Sequence, residues 1–435
     1  MSPADTRKDE QPVSGIDDLL NDIPIPRMVR VAQRFERPKV DDLEAALLHG
    51  LAEKNVMGSV PRAAEVAVAV GSRGIAGLPE VTRLVVRELK AAGARPFIVP
   101  AMGSHGGATA EGQKSLLEHL GISEASTGAP IRSSMDVVQV GVSPRFGMPV
   151  VVDANALAAD GIVIINRVKA HAAYAGTYES GLVKMVTIGL GKQRQAEICH
   201  NVGAERIGEF IADIGLEALK HIRLLAAVGL VENAFHETAR VAVLRGDEIE
   251  REEPGLLAEA KALAARFHIG EFEALVIDEI GKEISGAGFD TTIVGRYSSP
   301  YLSGGAKIRR VAVLDITEKS RGYGGGLGMV DFTTRRAFRK FDPEQTYPNT
   351  LTSTLTEGVK IPMILRNDRQ ALQACIRTCN LMDCRQARVM RIRNTLCMEE
   401  LEASENLLGE VRAHPAMEVL SDPYDLKFDG EGNLF

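Results

Sequence analysis

Short apolar runs rich in valine, isoleucine and alanine alternate along the chain with segments whose apolar residues recur at helical spacing. Residues 65–70 form one such run, a helix is predicted at 79–92, and a second run follows at 96–102. Glycine-rich loops separate these elements. A strand, a loop, a helix and another strand in this order predict a doubly wound, mostly parallel sheet.

The alternation of strands and helices continues to the end of the chain and restarts near residue 270, which predicts two α/β domains with the active site in the cleft between them. Further strands are predicted at 27–35, 161–165, 224–231, 241–244, 274–277, 311–314 and 387–392. Further helices are predicted at 40–54, 254–267, 343–357, 368–381 and 398–414. We assign a flexible tail to 1–22, an N-terminal catalytic and cofactor-binding domain to 23–269, a C-terminal domain to 270–393, and a segment packing back on the first domain to 394–435.

Composition narrows the possible functions of these 435 residues. The net charge of −7 argues against a nucleic-acid or anionic-membrane surface. No apolar run reaches the roughly 18 residues of a membrane span, and residues 1–12 carry no signal-peptide segment, so a cytoplasmic location is predicted. The five cysteines are odd in number and lack zinc or redox spacing, so we interpret them as reduced and structural.

Titratable residues follow three of the predicted strands. Arg73 comes after the first strand of the N-terminal unit, His105 after the second, and His171 after the strand at 161–165. Because ligands of open α/β sheets bind outside the carboxyl ends of the strands, these side chains are expected to converge on one crevice. Each alone is as readily a solvated arginine or a histidine bonded to the backbone, so the inference depends on the set.

Glycines near residue 190 suggest a phosphate contact. Gly191-Lys192 is followed by Gln193, so the Walker pattern fails, and no dinucleotide fingerprint occurs elsewhere. Gly189, Gly191 and Lys192 could still cradle a phosphate at the start of a helix. The alternative, that the glycines only turn the chain, stays open.

Several short motifs occur at a particular spacing: Ser104-His105-Gly106, His171 with Tyr174-Ala-Gly176, Lys184, His200, residues 284–290, and Val294-Gly-Arg296. In this combined spacing the chain resembles the nickel-pincer lactate racemase family, the nickel-dependent 2-hydroxyacid racemases and epimerases. The resemblance covers the chain from about Val29 onwards.

The resemblance implies a role for each matching residue. Lys184 would hold the pyridinium-3,5-bisthiocarboxylic acid mononucleotide covalently, and His200 would be the imidazole ligand of its nickel. His105 and His171 would be the two acid/base histidines, and Arg73 would pair with the substrate carboxylate. The cofactor-binding set is completed by Lys192, Gly189, Gly191 and Ser72. Separate enzymes would make the cofactor.

Histidine suits this reaction because its pKa near neutrality allows it to take up and release the hydroxyl proton, while the cofactor stores the hydride. The chain departs from the lactate racemase pattern: the interval from His171 to Lys184 is three residues longer, and the loop with Arg73 is compressed. We therefore expect a 2-hydroxy acid other than lactate, with Tyr174, Arg296 and Lys282 as candidate substrate contacts.

Two other classes of function remain open at this point. One is a hydro-lyase or aldolase-type enzyme that uses an ordinary divalent metal on the same scaffold. The other is a noncatalytic protein that binds a carboxylate or nucleotide. The metal distinguishes the first, because zinc, iron or manganese would take nitrogen and oxygen ligands in place of sulfur. The oligomeric state is left open.

Overall fold

The computed structural model describes residues 15–72 and 74–435. Its strands are β1 (Met28–Gln33), β2 (Glu65–Val70), β3 (Arg95–Pro100), β4 (Val137–Val142), β5 (Pro149–Asp153), β6 (Gly161–Arg167), β7 (Leu224–Glu232), β8 (Thr238–Leu244), β9 (Glu271–Ile280), β10 (Lys307–Ile316), β11 (Phe332–Thr334), β12 (Met363–Leu365), β13 (Val389–Ile392), β14 (Glu400–Ser404) and β15 (Met417–Val419).

The α-helices lie between and around these strands. They are α1 (Gly15–Leu20), α2 (Leu43–Glu53), α3 (Leu78–Ala91), α4 (Ala110–His119), α5 (Glu124–Thr127), α6 (Ala154–Ala158), α7 (Leu182–Lys184), α8 (Lys192–His200), α9 (Ile207–His221), α10 (Ile249–Leu263), α11 (Thr291–Val294), α12 (Arg335–Lys340), α13 (Pro343–Ser353), α14 (Asp368–Arg377) and α15 (Leu408–Ala413). A π-helical turn, Met185–Gly189, follows α7 directly.

The small sheet has the strand order β3-β2-β6-β7-β8 among the described residues. Its first four strands are parallel, and β8 runs antiparallel to β7. Alternate residues of β2 enter two different cores, with Ala67 packing on the side of α9 and Val68 on the side of α3. The predicted doubly wound, mostly parallel sheet is confirmed, because helices cover both of its faces.

The large sheet has the order β12-β11-β10-β9-β13-β14-β1-β15 within the same described residues. Strands β9 to β13 pair in parallel, whereas β14, β1 and β15 add antiparallel strands at one side. Strand β1, counted with the N-terminal domain from the sequence, therefore pairs with strands near the C-terminus. The predicted domain boundaries themselves stay a prediction.

One predicted helix is wrong. The sequence analysis places a helix at 398–414, but the chain forms β14, then a short helical turn, then α15. Leu401 and Ala403 are buried while Glu400 is exposed, which is the two-residue period of a strand. Pairing with β1 and β13 outweighs the helical propensity of the local sequence.

Some predictions concern the ends and the surroundings of the fold. The tail predicted at 1–22 lies mainly outside the described residues, but α1 contacts the rest of the chain and buries Leu20. All five cysteines are free, and three of them are buried. In the described part of the chain no helix is both long and apolar enough to cross a membrane.

Candidate functional site

A cavity of about 680 Å³ lies at the carboxyl edge of the small sheet. Because β3, β2, β6 and β7 are parallel, the residues that follow them meet at this edge. Loops of the large sheet form the opposite wall through Lys282, Asp290, Tyr323 and Thr395. Of the residues predicted from the sequence, the cavity brings together Ser72, His105, His171, Tyr174, Lys184, Gly189, His200 and Lys282.

His105 lies in the loop that follows β3. Its Nδ1 atom contacts the Oγ atom of Ser72, which follows β2, so the two strand ends are linked at the cavity. The Gln113 side chain holds this loop by donating to the carbonyl oxygens of Gly103 at 2.7 Å and His105 at 3.3 Å. Gly106 has φ +66°, and a Cβ there would lie 2.6 Å from the backbone of Gly112, so the loop requires glycine.

His171 lies in the irregular segment after β6, which a buried carboxylate holds in place. The Glu179 side chain accepts the backbone N–H of His171 at 2.7 Å and pairs with Lys261 at 2.6 Å. The imidazole Nδ1 of His171 accepts the backbone N–H of Ala173 at 3.1 Å. The ring is therefore oriented from both its backbone and its Nδ1 side.

Tyr174 links His171 to Lys184. Its ring stacks on the imidazole of His171 with centroids 4.0 Å apart, and the Lys184 Nζ atom lies 5.6 Å from the same ring. The hydroxyl donates to the carbonyl oxygen of Glu179 at 2.8 Å, and burial raises the pKa of this phenol. Tyr174 thus acts as a wall that orders two functional groups, because its hydroxyl is already bonded to the protein backbone.

Lys184 ends the single turn α7. The carboxylate of Glu253 accepts the backbone N–H groups of Leu182 at 2.9 Å and Val183 at 2.8 Å, so it caps this turn in place of a local side chain. Burial raises the pKa of Glu253 to about 7. The position of Lys184 therefore depends on a carboxyl group that α10 supplies from 70 residues away.

His200 ends α8 and lines the same cavity as Lys184. Burial, together with a smaller effect of the positive charge of Lys184, lowers the pKa of its imidazole to about 4. The side chain is therefore neutral at physiological pH, which is the form that binds a metal ion. The neighbouring Cys199 thiol is buried, and burial raises its pKa to about 12, so it stays protonated.

The donor set can be compared with the nickel-pincer nucleotide that the sequence resemblance implies. Such a cofactor brings its own carbon and sulfur donors to nickel, and it takes one lysine and one neutral imidazole from the protein. Lys184 and His200 supply these two groups at one cavity, so the residues fit the cofactor. Within residues 15–72 and 74–435, no three His, Cys, Asp or Glu side chains are grouped as ligands for a metal ion.

The structure places Lys192 away from the cavity, which corrects its predicted phosphate contact. Its side chain is fully buried, with Nζ 3.1 Å from the Asp153 carboxylate and bonded to Pro100 and Gln113. Burial lowers the pKa of Lys192 and raises that of Asp153. The ammonium group is therefore a buried counterion in the core beneath the site.

The structure does not support the predicted phosphate cradle at 189–192, because Gly191 and Lys192 are buried. Leu190 and Gly191 separate the π-helical turn from α8, whose first residue, Lys192, has a φ of +53°. The Leu190 N–H donates to the carbonyl oxygen of Met185 at 2.9 Å. Gly189 lines the cavity, whereas Gly191 packs against Gln195, where a Cβ would lie 2.3 Å from a side-chain carbon. Gly191 therefore permits close packing of the chain against α8.

Of the two arginines predicted to contact the substrate, only Arg296 is among the described residues. The guanidinium of Arg296 pairs with Asp331 at 3.2 Å and donates to backbone carbonyls of β10, so its predicted substrate contact is not supported. Lys282 does line the cavity, with Nζ 4.7 Å from the ring centroid of Tyr323. The predicted role of Arg73 lies outside the described residues.

The sequence analysis missed a charged group on the same cavity wall: Arg167, Glu232, His236 and Asp290. Arg167 ends β6 and Glu232 ends β7, so the rule that selected His105 and His171 could have selected them as well. Arg167 and Glu232 form an ion pair, and His236 Nδ1 lies 4.0 Å from the same carboxylate. Lys169 lies 3.8 Å from Asp290 and joins the loop after β6 to the opposite wall.

Comparisons with known proteins find similarity to lactate racemase. Residues 22–208 match the family model of the lactate racemase N-terminal domain. Among solved structures, the lactate racemase apoprotein from Thermoanaerobacterium thermosaccharolyticum matches with 11% sequence identity and a TM-score of 0.44, over 81% of this chain and 86% of that chain. No curated protein matches the chain. The N-terminal part of the chain, residues 22–208, is thus similar to the lactate racemase N-terminal domain.

Proposed function

We propose that the protein is a racemase or epimerase of a 2-hydroxy acid other than lactate. The observation that carries this proposal is the convergence of His105, His171, Lys184 and His200 on one cavity at the carboxyl edge of the small sheet. Inversion at a carbon bearing a hydroxyl requires acid/base groups, here the imidazoles of His105 and His171. It also requires groups that hold the cofactor, here Lys184 and His200. The family match over residues 22–208 supports the same class of reaction.

Lys184 would hold the nickel-pincer nucleotide covalently, and His200 would bind its nickel. When bound, this cofactor supplies the acceptor for the α-hydrogen and its electron pair. Cofactor biosynthesis enzymes would be the protein's partners, a small 2-hydroxy acid its substrate, and the cytoplasm its location. The remaining chemistry, which is proton transfer and substrate orientation, falls to side chains of this chain.

The two candidate acid/base histidines are held differently. The Ser72 hydroxyl can donate to or accept from His105 Nδ1, so His105 can carry its proton on either nitrogen. The Ala173 N–H can only donate, so Nδ1 of neutral His171 accepts and its proton lies on Nε2. His105 is therefore suited to take the hydroxyl proton of the substrate at Nε2, and neutral His171 is suited to donate a hydrogen bond to the substrate oxygen from Nε2.

The first experiment is metal analysis and peptide mass mapping of protein purified from its own host. We expect nickel and a mononucleotide-sized adduct on the peptide that contains Lys184. The peptide with Lys192 is the internal control, because that lysine is fully buried and paired with Asp153. An unmodified Lys184 together with zinc, iron or manganese would favour a hydro-lyase or aldolase, and an unmodified Lys184 without metal would favour a binding protein.

The second experiment measures inversion at the α-carbon of 2-hydroxy acids, by following each pure enantiomer with chiral chromatography. His105→Asn and His171→Asn are expected to lower the inversion rate by about 100-fold or more, because the first removes the group that takes the hydroxyl proton and the second the group that donates to the substrate oxygen. His49→Gln is the control, since His49 is exposed on α2 and contacts Glu53 at its surface. Inversion at the wild-type rate in both site variants would contradict the assigned roles.

A further inference from the structure

Arg167 is a charged group of the cavity that the proposed mechanism leaves without a task. It ends β6, its side chain is 17% exposed, and it lines the cavity. One of its nitrogens, Nη1, pairs with the Glu232 carboxylate. Among the described residues, its Nε and Nη2 groups have no hydrogen-bond partner.

Glu232 holds the guanidinium of Arg167 in place. Its side chain is only 7% exposed, and its second oxygen accepts the backbone N–H of Ala76 at 2.9 Å. The carboxylate therefore joins the end of β7, the end of β6 and the loop after β2. A half-buried arginine held on one side by a fixed carboxylate keeps its remaining donors in a defined orientation.

We propose that Arg167 binds the carboxylate of the substrate and that Glu232 is the residue that positions it. The proposal rests on the proposed function for the identity of the ligand as a 2-hydroxy acid, and it gives to Arg167 the carboxylate contact that the resemblance implies for Arg73. A guanidinium with neighbouring donors available matches the two oxygens of a carboxylate in a bidentate pair. The ligand class is thus an organic monocarboxylate, with its charged end at the carboxyl end of β6.

Other titratable side chains lie near Arg167 on the cavity wall. His236 follows β7 and has the left-handed φ of +58°, a strained conformation that keeps its ring beside Glu232 at the cavity. Lys169 follows Arg167 by two residues and lies 3.8 Å from Asp290. The Glu232 and Asp290 carboxylates are paired with Arg167 and Lys169 respectively, so neither stands in the wall as an uncompensated negative charge that would repel a bound carboxylate.

The test is a ligand-observed NMR titration of protein purified from its own host, with glycolate, lactate and gluconate as carboxylate probes and glycolamide as the uncharged analogue. We expect saturable binding of carboxylates and much weaker binding of the amide. Arg167→Gln should raise the dissociation constant for carboxylates by about tenfold or more, because two charge-assisted hydrogen bonds are lost. Arg167→Lys should give an intermediate value, since it keeps the charge without the fork.

Two further variants keep the result interpretable. The double variant Arg167→Gln/Glu232→Gln removes both charges, so it avoids an unpaired carboxylate in the wall, and it should bind carboxylates as weakly as Arg167→Gln. Arg240→Gln is the matched control. Arg240 lies on β8, outside the cavity, and forms an exposed ion pair with Glu259. Its carboxylate binding should equal that of the wild type.

Several results would overturn the proposal: wild-type affinity in Arg167→Gln and in the double variant, equal binding of glycolate and glycolamide, or no saturable binding of any carboxylate. Loss of binding in Arg73→Gln with none in Arg167→Gln would assign the contact to Arg73 instead. The result is separable from the proposed function. Arg167-dependent carboxylate binding stands even where Lys184 is unmodified, whereas a modified Lys184 with unchanged binding in Arg167→Gln overturns only this assignment.

Discussion

The carboxyl group of Glu253 lies beneath the turn that carries Lys184, and its pKa of about 7 makes the fold sensitive to pH. Its pKa in the unfolded chain is near 4.5. Between these values the folded protein holds a proton that the unfolded chain releases, so the free energy of unfolding falls as pH rises from about 4.5 to 7.

We therefore expect Glu253→Gln to lose this part of the pH dependence. The difference in unfolding free energy between the variant and the wild type should shift by on the order of 2–3 kcal/mol across this window, measured by urea denaturation at several pH values. Glu252→Gln is the control, since Glu252 is an exposed neighbour on α10. Parallel curves for wild type and Glu253→Gln would show that the carboxyl group is ionised throughout.

Lys192 gives a prediction that separates a core residue from a ligand contact. Lys192→Met leaves the Asp153 carboxylate buried without its cation, which should lower the free energy of unfolding by about 3–5 kcal/mol. Asp153 also accepts the Ala156 N–H at 2.8 Å, and asparagine keeps that acceptor. The double variant Lys192→Met/Asp153→Asn should therefore recover most of the loss in chemical denaturation.

The same variants bear on the phosphate contact that the sequence suggested. In the folded fraction of Lys192→Met, the adduct on Lys184 should be as abundant as in the wild type. A stable Lys192→Met protein with little adduct would restore Lys192 as a cofactor contact. Peptide mass mapping of the variant measures this directly.

Helix α9 packs closely on the segment that carries Lys184, and a glycine makes that contact possible. A Cβ at Gly215 would lie 2.4 Å from Thr187 Oγ1 and 2.6 Å from a methyl carbon of Val183. Gly215→Ala should therefore lower the free energy of unfolding by about 1–3 kcal/mol, as overpacking does. Thermal and urea denaturation measure the loss.

Gly255 on α10 is the matched control, because a Cβ there would meet no atom within 4 Å. Gly255→Ala should raise the free energy of unfolding by about 0.5–1 kcal/mol through helix propensity. Equal effects of the two substitutions would mean that the contact between α9 and the Lys184 segment is not tight.

At the level of elements, the sequence predicts what is encoded locally. Strand β6 can be predicted from its continuous apolar run, and α3 from apolar residues that recur at helical spacing. Strand β14 is not, because its glutamates and leucine favour a helix locally and only pairing with β1 decides the outcome. Distant partners of this kind leave no local signal.

The residues of the candidate site also divide into those that the local sequence predicts and those that depend on distant partners. His105 and His171 were predictable because strand ends meet at one edge in any parallel sheet. The burial of Lys192 was not, because its partner Asp153 lies at the end of β5, 39 residues earlier, and nothing in the local sequence separates a buried lysine from a phosphate ligand. The ion pair of Arg296 was also not predictable, because its partner Asp331 is 35 residues away and is held by the backbone N–H of Val311 in β10.

For the whole molecule, the pairing of β1 predicts which parts unfold together. Met28–Gln33 is bonded to β14 and β15, not to the small sheet that follows it in sequence. In native-state hydrogen exchange under increasing denaturant, the amides of β1 should lose protection together with β9, β10 and β14. Loss of β1 protection together with β2 and β3 would contradict this grouping.

The place of β1 in the large sheet also affects how the protein emerges from the ribosome. Val31 pairs with Leu401, which is synthesised some 370 residues later. At ordinary elongation rates this delay is on the order of 20–70 s. All strands of the small sheet are translated by the end of β8, and its core is complete with α10, long before residue 401. During translation we therefore expect the apolar strand β1 to stay without its partners after the small sheet can form, which would expose it to chaperones that bind extended apolar segments.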